Sequence, residues 1–268
     1  MKKNFNRIQA LKEYFKREPA VALAFLFGSY AQGFEMKESD FDVAVYLKDK
    51  TEEENVWFEV NSIVKKEVDL LLLNEAPAIL VSNIFKMGIP LSIKDEKLYW
   101  ELYLKASSEA EDFLEFLEDF RKIKQEAKSL SKEGKARLQI RVDYLGDQMK
   151  EISRFQNLTW VEYQKNLDER RIIERWAENI MNATIDIAKI VLASEKKAMP
   201  RSYGEALVHF GLLIGLNEEE TKKFSKLANL RNILAHEYLD ILYAKIQDFI
   251  KELPPFYKKI SRFLEERL

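Results

Sequence analysis

The chain has 268 residues, more than one domain of ordinary size, with 43 basic and 45 acidic side chains and a net charge of −2. Charged residues make up 33% of it with the two signs nearly balanced, so no basic nucleic-acid footprint covers the whole chain. There is no cysteine and there are two histidines, which excludes disulfides, thiolate metal sites, a cysteine nucleophile and a histidine-rich zinc site. The halves differ mildly: residues 1–136 carry 21 basic and 25 acidic side chains (−4), and residues 137–268 carry 22 and 20 (+2). The N-terminal segment MKKNFNRIQALKEYF is charged throughout, without the apolar centre of a signal peptide. No stretch approaches the ~18 uninterrupted apolar residues of a membrane span, so a cytoplasmic protein without membrane contact is expected.

In chain order, Ala20–Phe27 (AVALAFLF) is an apolar run of buried-strand type that ends at Gly28. Phe41–Leu47 alternates and is rich in β-branched and aromatic residues, Val68–Leu73 is a third strand, and Ile89–Ile93 a short fourth. Between them, Glu52–Lys66 and Ala76–Lys86 read as helices. Leu98–Ala127 is a long amphipathic helix whose expected apolar stripe is Phe113, Leu114, Phe116, Leu117 and Phe120. Ser129–Lys135 is polar, contains Gly134 and reads as a linker. Beyond it only helices are expected. Three starts have capping-box spacing: Thr159 with Glu162, Ser202 with Glu205, and Asn217 with Glu220. Apolar residues recur at helical spacing from Ile172 to Leu192 and from Phe224 to Ile241, and Pro254-Pro255 is expected to set off a last helix. The expected fold class is α+β, a small mixed-sheet domain followed by an all-helical bundle. The boundaries expected are 1–95 for the sheet domain, 96–136 for a connecting helix and linker, and 137–268 for the bundle.

The first cluster of chemistry-bearing residues is Gly28, Ser29, Asp40, Asp42 and Asp69. Glycine lets the backbone approach a phosphate closely, and Ser29 adds a hydroxyl beside free amides. A helix starting there would aim its N-terminus at the same anion. Asp40 and Asp42 are two apart, so in a strand their carboxylates share a face. Close carboxylates repel unless a cation sits between them, and Mg2+, which takes oxygen ligands and substrate phosphates, is the natural one. Asp69 opens the next strand and could lie beside them. Three aspartates around one or two metals is an arrangement for in-line phosphoryl or nucleotidyl transfer. The bland reading is an ordinary turn and solvated strand ends.

The spacing GS-x10-D-x-D between two buried strands, followed by a strand aspartate, resembles that of the DNA polymerase β nucleotidyltransferase superfamily. The segment GSYAQGFEMKESDFDVAV resembles its minimal nucleotidyltransferases over roughly residues 7–95. The resemblance implies that Gly28 and Ser29 bind the nucleotide triphosphate, and that Asp40, Asp42 and Asp69 are catalytic Mg2+ ligands. Asp69 would also assist deprotonation of the acceptor hydroxyl. Gln32 stands where minimal members often have arginine, which leaves the metal site intact and weakens a phosphate contact.

The second cluster is RNILAHEY, Arg231 to Tyr238. A histidine can act as general acid or base near neutral pH, and an arginine can stabilise a phosphorane. Together they could cleave RNA without metal, with the 2′-hydroxyl as nucleophile. The bland reading is a packing histidine and a surface arginine. R-x4-H-x-Y resembles the motif of HEPN (higher eukaryotes and prokaryotes nucleotide-binding) domains, and LDERRIIERWAENIMNATIDIAKIV and PRSYGEAL resemble their toxin-type branch, over roughly residues 137–250. Members of that branch are commonly partners of minimal nucleotidyltransferases, as toxin and antitoxin. At ~100° per residue, Arg231 and His236 lie about 140° apart around an ideal helix. A composite site across a two-fold homodimer of the helical domain fits that separation, and the resemblance implies it too. His209 reads as a packing residue.

These readings lead to a fusion in which the front half transfers AMP from ATP to a protein hydroxyl, and the rear half is a ribonuclease or its inactive descendant acting on RNA. In the resembling two-gene systems the modified group is the motif tyrosine, here Tyr238. A small-molecule nucleotidyltransferase of aminoglycoside-modifying type is the alternative, and a non-enzymatic dimerising protein a third reading.

Overall fold

The structure, a computed structural model, describes residues 2–32, 40–126, 132–236 and 240–268. It divides into two compact units, Met1–Asp112 and Phe113–Leu268.

The first unit is built on a four-stranded mixed sheet. Its strands are β1 (Val21–Phe27), β2 (Phe41–Leu47), β3 (Val68–Leu72) and β4 (Ile89–Ile93), in the order β3-β2-β1-β4. β1 pairs antiparallel with β2 and β4, while β2 pairs parallel with β3. The parallel pair requires a crossover. α3 (Glu53–Val64) supplies it and ends at Lys65, whose left-handed φ of 54° turns the chain towards β3. The six residues Val21–Leu26 of β1 are all buried, as expected for a strand covered on both faces. α1 (Lys2–Arg17) and α3 cover one face through Leu11, Phe15, Val56, Val60 and Val64. α4 (Ala78–Met87) and the start of α5 (Glu96–Glu126) cover the other through Val81, Ile84, Phe85 and Ala106. The charge pattern of the N-terminus predicts no element. Ile8, Leu11 and Phe15, spaced by three and four, nevertheless give α1 an inward apolar edge, and Leu11 and Phe15 are fully buried.

The second unit is helical, as the expected fold class requires. Besides the end of α5 it contains α6 (Lys132–Lys150), α7 (Ile152–Phe155), α8 (Trp160–Lys165), α9 (Leu167–Ser194), α10 (Tyr203–Leu213), α11 (Glu218–His236) and α12 (Asp240–Glu265). α9 is its centre: from Ala183 onwards nearly every side chain is buried. The buried Lys189 of α9 is neutralised by Asp119 at 3.1 Å and Asp186 at 3.2 Å. Asp186 also accepts a hydrogen bond from Nε of Arg141 on α6, so one ionic chain ties α5, α6 and α9 together.

Three local expectations need correction. Leu114 is exposed, because the inward edge of α5 runs through Phe113, Phe116 and Phe120, at i, i+3 and i+7. Lys132–Lys135 belong to α6 despite Gly134: Leu138 and Leu145 bury on one face of that helix and outweigh a single glycine; Ser129–Ser131 lie outside the described residues. Pro254 and Pro255 do not start a helix but lie inside α12. Ile246, Phe249, Ile250, Leu253, Phe256, Ile260 and Phe263 keep one apolar face in phase across the prolines, and their burial outweighs the interrupted backbone bonds. Of the Phe224–Ile241 run, α11 covers the residues up to His236 and α12 begins at Asp240, while residues 237–239 lie outside the described residues.

Candidate functional site

The candidate nucleotide site lies at one end of the sheet. β1 ends at Phe27, and Gly28 opens α2 (Gly28–Gln32) without an intervening loop. Gly28 has φ +66°, a left-handed conformation suited to glycine. Space excludes other residues as well. A Cβ at position 28 would lie 2.0 Å from Oδ2 and 2.6 Å from Cγ of Asp42. The Asp42 carboxylate therefore packs against the bare Cα of Gly28.

The sheet register accounts for this contact. Asp42 pairs with Phe27 across the β1–β2 ladder and with Asp69 across the β2–β3 ladder. Asp42 and Asp69 are thus in-register neighbours whose side chains leave the same face. Asp40 stands immediately before β2 and is exposed, as is Asp69, while Asp42 is half-buried. Burial, then the Asp69 and Asp40 charges, push the Asp42 carboxyl above the usual carboxylate range. Hydrogen bonds from its own backbone N–H and that of Ser29 oppose the rise. An amide at the start of α2 is thus already turned towards an anion, supplied by Asp42 itself.

Among the described residues, no three His, Cys, Asp or Glu side chains are gathered into a group that could hold a metal ion. The carboxylates are paired by strand register and, in Asp42, turned towards Ser29. Their chemistry still fits Mg2+: hard oxygen donors whose mutual repulsion a cation would relieve.

Sequence reasoning did not find the support behind this end of the sheet. Tyr30, directly after Ser29, is buried and stacks on Phe41 with ring centroids 4.0 Å apart. Phe41 sits between Asp40 and Asp42, so the stack fastens α2 to the strand that bears the carboxylates. Lys66 donates to the Tyr30 hydroxyl at 2.9 Å and lies 5.6 Å from the centre of its ring, bringing in the turn before Asp69. The sequence holds the parts of this device, but Tyr30 and Lys66 are 36 residues apart and only the fold joins them.

The second candidate cluster is placed by its backbone alone. Arg231 and His236 both lie on α11, with His236 its last residue. Their side chains, that of Gln32, and Tyr238 as a whole lie outside the described residues. His209 on α10 is half-buried, with Nε2 3.8 Å from Oε1 of Glu205. No helix among the described residues is long and apolar enough to cross a membrane.

Comparison with known proteins finds two family matches. Residues 9–97 match the family described as polymerase beta, nucleotidyltransferase, and residues 145–263 match the ribonuclease HepT-like family. The tRNA nuclease HepT of Aphanizomenon flos-aquae is 26% identical over 131 residues, 47% of this chain and 89% of that protein. The protein adenylyltransferase MntA of Shewanella oneidensis is 31% identical over 86 residues, 30% of this chain and 62% of that protein, so less than two thirds of its length is matched. A solved toxin–antitoxin structure with AMP-PNP is 26% identical, over 41% of this chain and 89% of that one, with a TM-score of 0.34, an overlap too small to bear on the fold.

Proposed function

This chain carries a polymerase beta nucleotidyltransferase domain followed by a HepT-like domain, and from that premise we propose that the first transfers AMP from ATP to a protein hydroxyl and thereby regulates a ribonuclease activity of the second. The observation that carries the reading is the convergence of Gly28, Ser29, Asp42 and Asp69 at one end of the sheet. The resemblance of residues 30% of the chain long to an adenylyltransferase supports AMP as the group transferred.

In this reading Gly28 and the Ser29 amide receive the triphosphate. Asp40, Asp42 and Asp69 would hold Mg2+, which would supply positive charge to the phosphoryl oxygens. Asp69 takes the proton of the acceptor hydroxyl, whose oxygen bonds to the α-phosphorus as the bond to the β-phosphate breaks and pyrophosphate leaves. The acceptor we favour is Tyr238, two residues beyond His236. An AMP there adds bulk and negative charge beside Arg231 and so opposes the approach of RNA phosphate. Arg231 and His236 are the ribonuclease pair. Five residues apart on α11, their positions lie about 140° apart around an ideal helix, so a site using both draws on a second copy, a homodimer through the helical domain. No observation favours the aminoglycoside-type alternative, and the HepT-like match of residues 145–263 weighs against it.

Incubation of the chain with ATP and Mg2+, followed by mass spectrometry, tests the reading. AMP is expected on Tyr238 in the wild type and on no residue in the Asp40→Asn/Asp42→Asn variant. Protein that stays unmodified, with no AMP on any side chain, would sink it.

A further inference from the structure

Three short segments supply the candidate nucleotide site: α2 with Gly28 and Ser29, the start of β2 with Asp40 and Asp42, and the start of β3 with Asp69. α2 is five residues long, too short to hold a position by its own backbone hydrogen bonds, and it is entered through the left-handed Gly28. The placement of the Ser29 amide against the two strands therefore depends on how the next residue, Tyr30, is held.

Tyr30 joins all three segments. Its buried ring stacks on Phe41 with the planes 27° apart. Its hydroxyl accepts a hydrogen bond from Nζ of Lys66 at 2.9 Å. Lys66 lies in the turn between α3 and β3, three residues before Asp69. The same turn is bonded to β2, since the Phe41 N–H donates to the carbonyl oxygen of Glu67 at 3.0 Å. Trp57 of α3 ties the start of β3 as well, its indole Nε1 donating to the carbonyl oxygen of Val68 at 3.3 Å. Each segment of the site thus gives one side chain to the group: Tyr30 next to Ser29, Phe41 between Asp40 and Asp42, and Lys66 before Asp69.

The group stands behind the site. Tyr30, Phe41, Val43 and Val68 belong to the core cluster that α1 and α3 cover. Asp42 and Asp69 alternate with those strand residues and share a face with Ala44 and Leu71, which pack in the cluster on the other side of the sheet. A ligand held by the carboxylates therefore meets the sheet face opposite the Tyr30 ring.

We propose that Tyr30 and Lys66 are positioning residues of the nucleotide site. Their hydrogen bond, together with the Phe41 stack, fixes the Ser29 amide relative to Asp42 and Asp69. This rests on the reading of the site as one for a nucleoside triphosphate with Mg2+, and it does not depend on which hydroxyl receives AMP. A ligand that touches α2 and both strands at once must otherwise order them on binding, and that cost appears as lost affinity.

Two measurements on the full chain test it: equilibrium titration with Mg2+ and α,β-methylene-ATP, an analogue that cannot give up AMP, and the kinetics of AMP incorporation from ATP. Tyr30→Phe keeps the stack and removes the acceptor for Lys66. Lys66→Met keeps an unbranched stem and removes the donor. Each should raise the Kd of the analogue and the KM for ATP about tenfold, with kcat at saturating ATP held. Lys66→Arg keeps a cationic donor and should recover most of the loss. Tyr30→Phe/Lys66→Met should bind no more weakly than the weaker single variant, because all three lose the same hydrogen bond. Melting temperatures check that each variant folds. An unchanged Kd in Tyr30→Phe would overturn the proposal and leave the contact a structural one. Losses that multiply in the double variant would overturn it too, by putting Lys66 on the phosphates themselves. Wild type that binds no analogue would remove the nucleotide site and the proposal together. Analogue binding with no AMP on any side chain would remove the protein-acceptor reading, while the Kd series would still decide the positioning role.

Discussion

At the residue scale, the contact between Gly28 and Asp42 is the most sensitive point of the nucleotidyltransferase domain. Gly28→Ala would put a methyl group 2.0 Å from Asp42 Oδ2 in a backbone conformation that disfavours it. We expect a loss of about 1–3 kcal/mol from the backbone strain alone, read as a lower melting temperature, together with abolished incorporation of label from ATP. Asp42 gives a second prediction, with a definite sign. Its folded pKa is raised by burial first and by Asp69 and Asp40 next, so its ionised form is disfavoured in the folded state. Its contribution is most favourable when protonated and becomes unfavourable as pH rises from the ordinary value of 3.8 through the folded pKa. Asp42→Asn should therefore melt higher than wild type at pH 7 in EDTA. The gap should shrink in acid, and Mg2+ should raise the melting temperature of wild type more than that of the variant. Thermal scans at the two pH values, with and without Mg2+, check all three outcomes. The residues of this site were legible because they follow one another within short, patterned segments. The Tyr30–Phe41 stack and its Lys66 partner were not, because a stacking contact leaves no periodic trace in the chain.

At the element scale, capping chemistry carried through well. Thr159 with Glu162 and Asn217 with Glu220 form reciprocal hydrogen-bonded boxes. Ser202 caps α10 by accepting from the Glu205 N–H, but the Glu205 carboxylate takes the N–H of Arg201 in place of the cap's own. Glu220 has a second role that spacing could not reveal. It also accepts from Lys259 of α12, at 2.8 and 3.0 Å, and so links the start of α11 to α12. The Lys259 hydrogen bond first, and that from the Asn217 backbone next, hold the Glu220 pKa below the ordinary 4.5. A lowered acid pKa contributes stability that is present above the unfolded value and is lost as pH falls through the folded one. Glu220→Gln should melt below wild type at pH 7, and the two should converge as pH falls below the ordinary 4.5 and through the lowered folded value, as followed by circular dichroism. The prolines of α12 show the limit of local signals. Proline opposes a helix interior by about 3 kcal/mol, yet seven apolar side chains in phase across Pro254-Pro255 are buried and hold the helix together.

At the scale of the whole molecule, two domains of different families share one chain, so their activities should separate by mutation. Arg231→Ala/His236→Ala should abolish RNA cleavage and growth toxicity while leaving adenylyl transfer intact, and Asp40→Asn/Asp42→Asn should do the opposite. Parallel RNA-cleavage and ATP-labelling assays on both variants check this; a variant that loses both activities would argue against separate sites. Fusion also fixes a one-to-one ratio of the two domains and raises their effective concentration.

The sequence by itself pointed to the two families, the strands, the helix caps and a set of candidate chemistry-bearing residues. Each of these is written in local spacing: an apolar run, a capping interval, a glycine-serine pair ten residues before a pair of aspartates. Tertiary structure alone decided that Asp42 lies against Gly28 and beside Asp69, that α1 is part of the core, that α12 passes through its prolines, and that Trp57 is tied to the carbonyl next to Asp69. The physical reason is common to all four. Strand register, burial and a hydrogen bond to a distant carbonyl depend on which segments meet in space, and their energies are comparable to or larger than the local preferences that a linear reading can see.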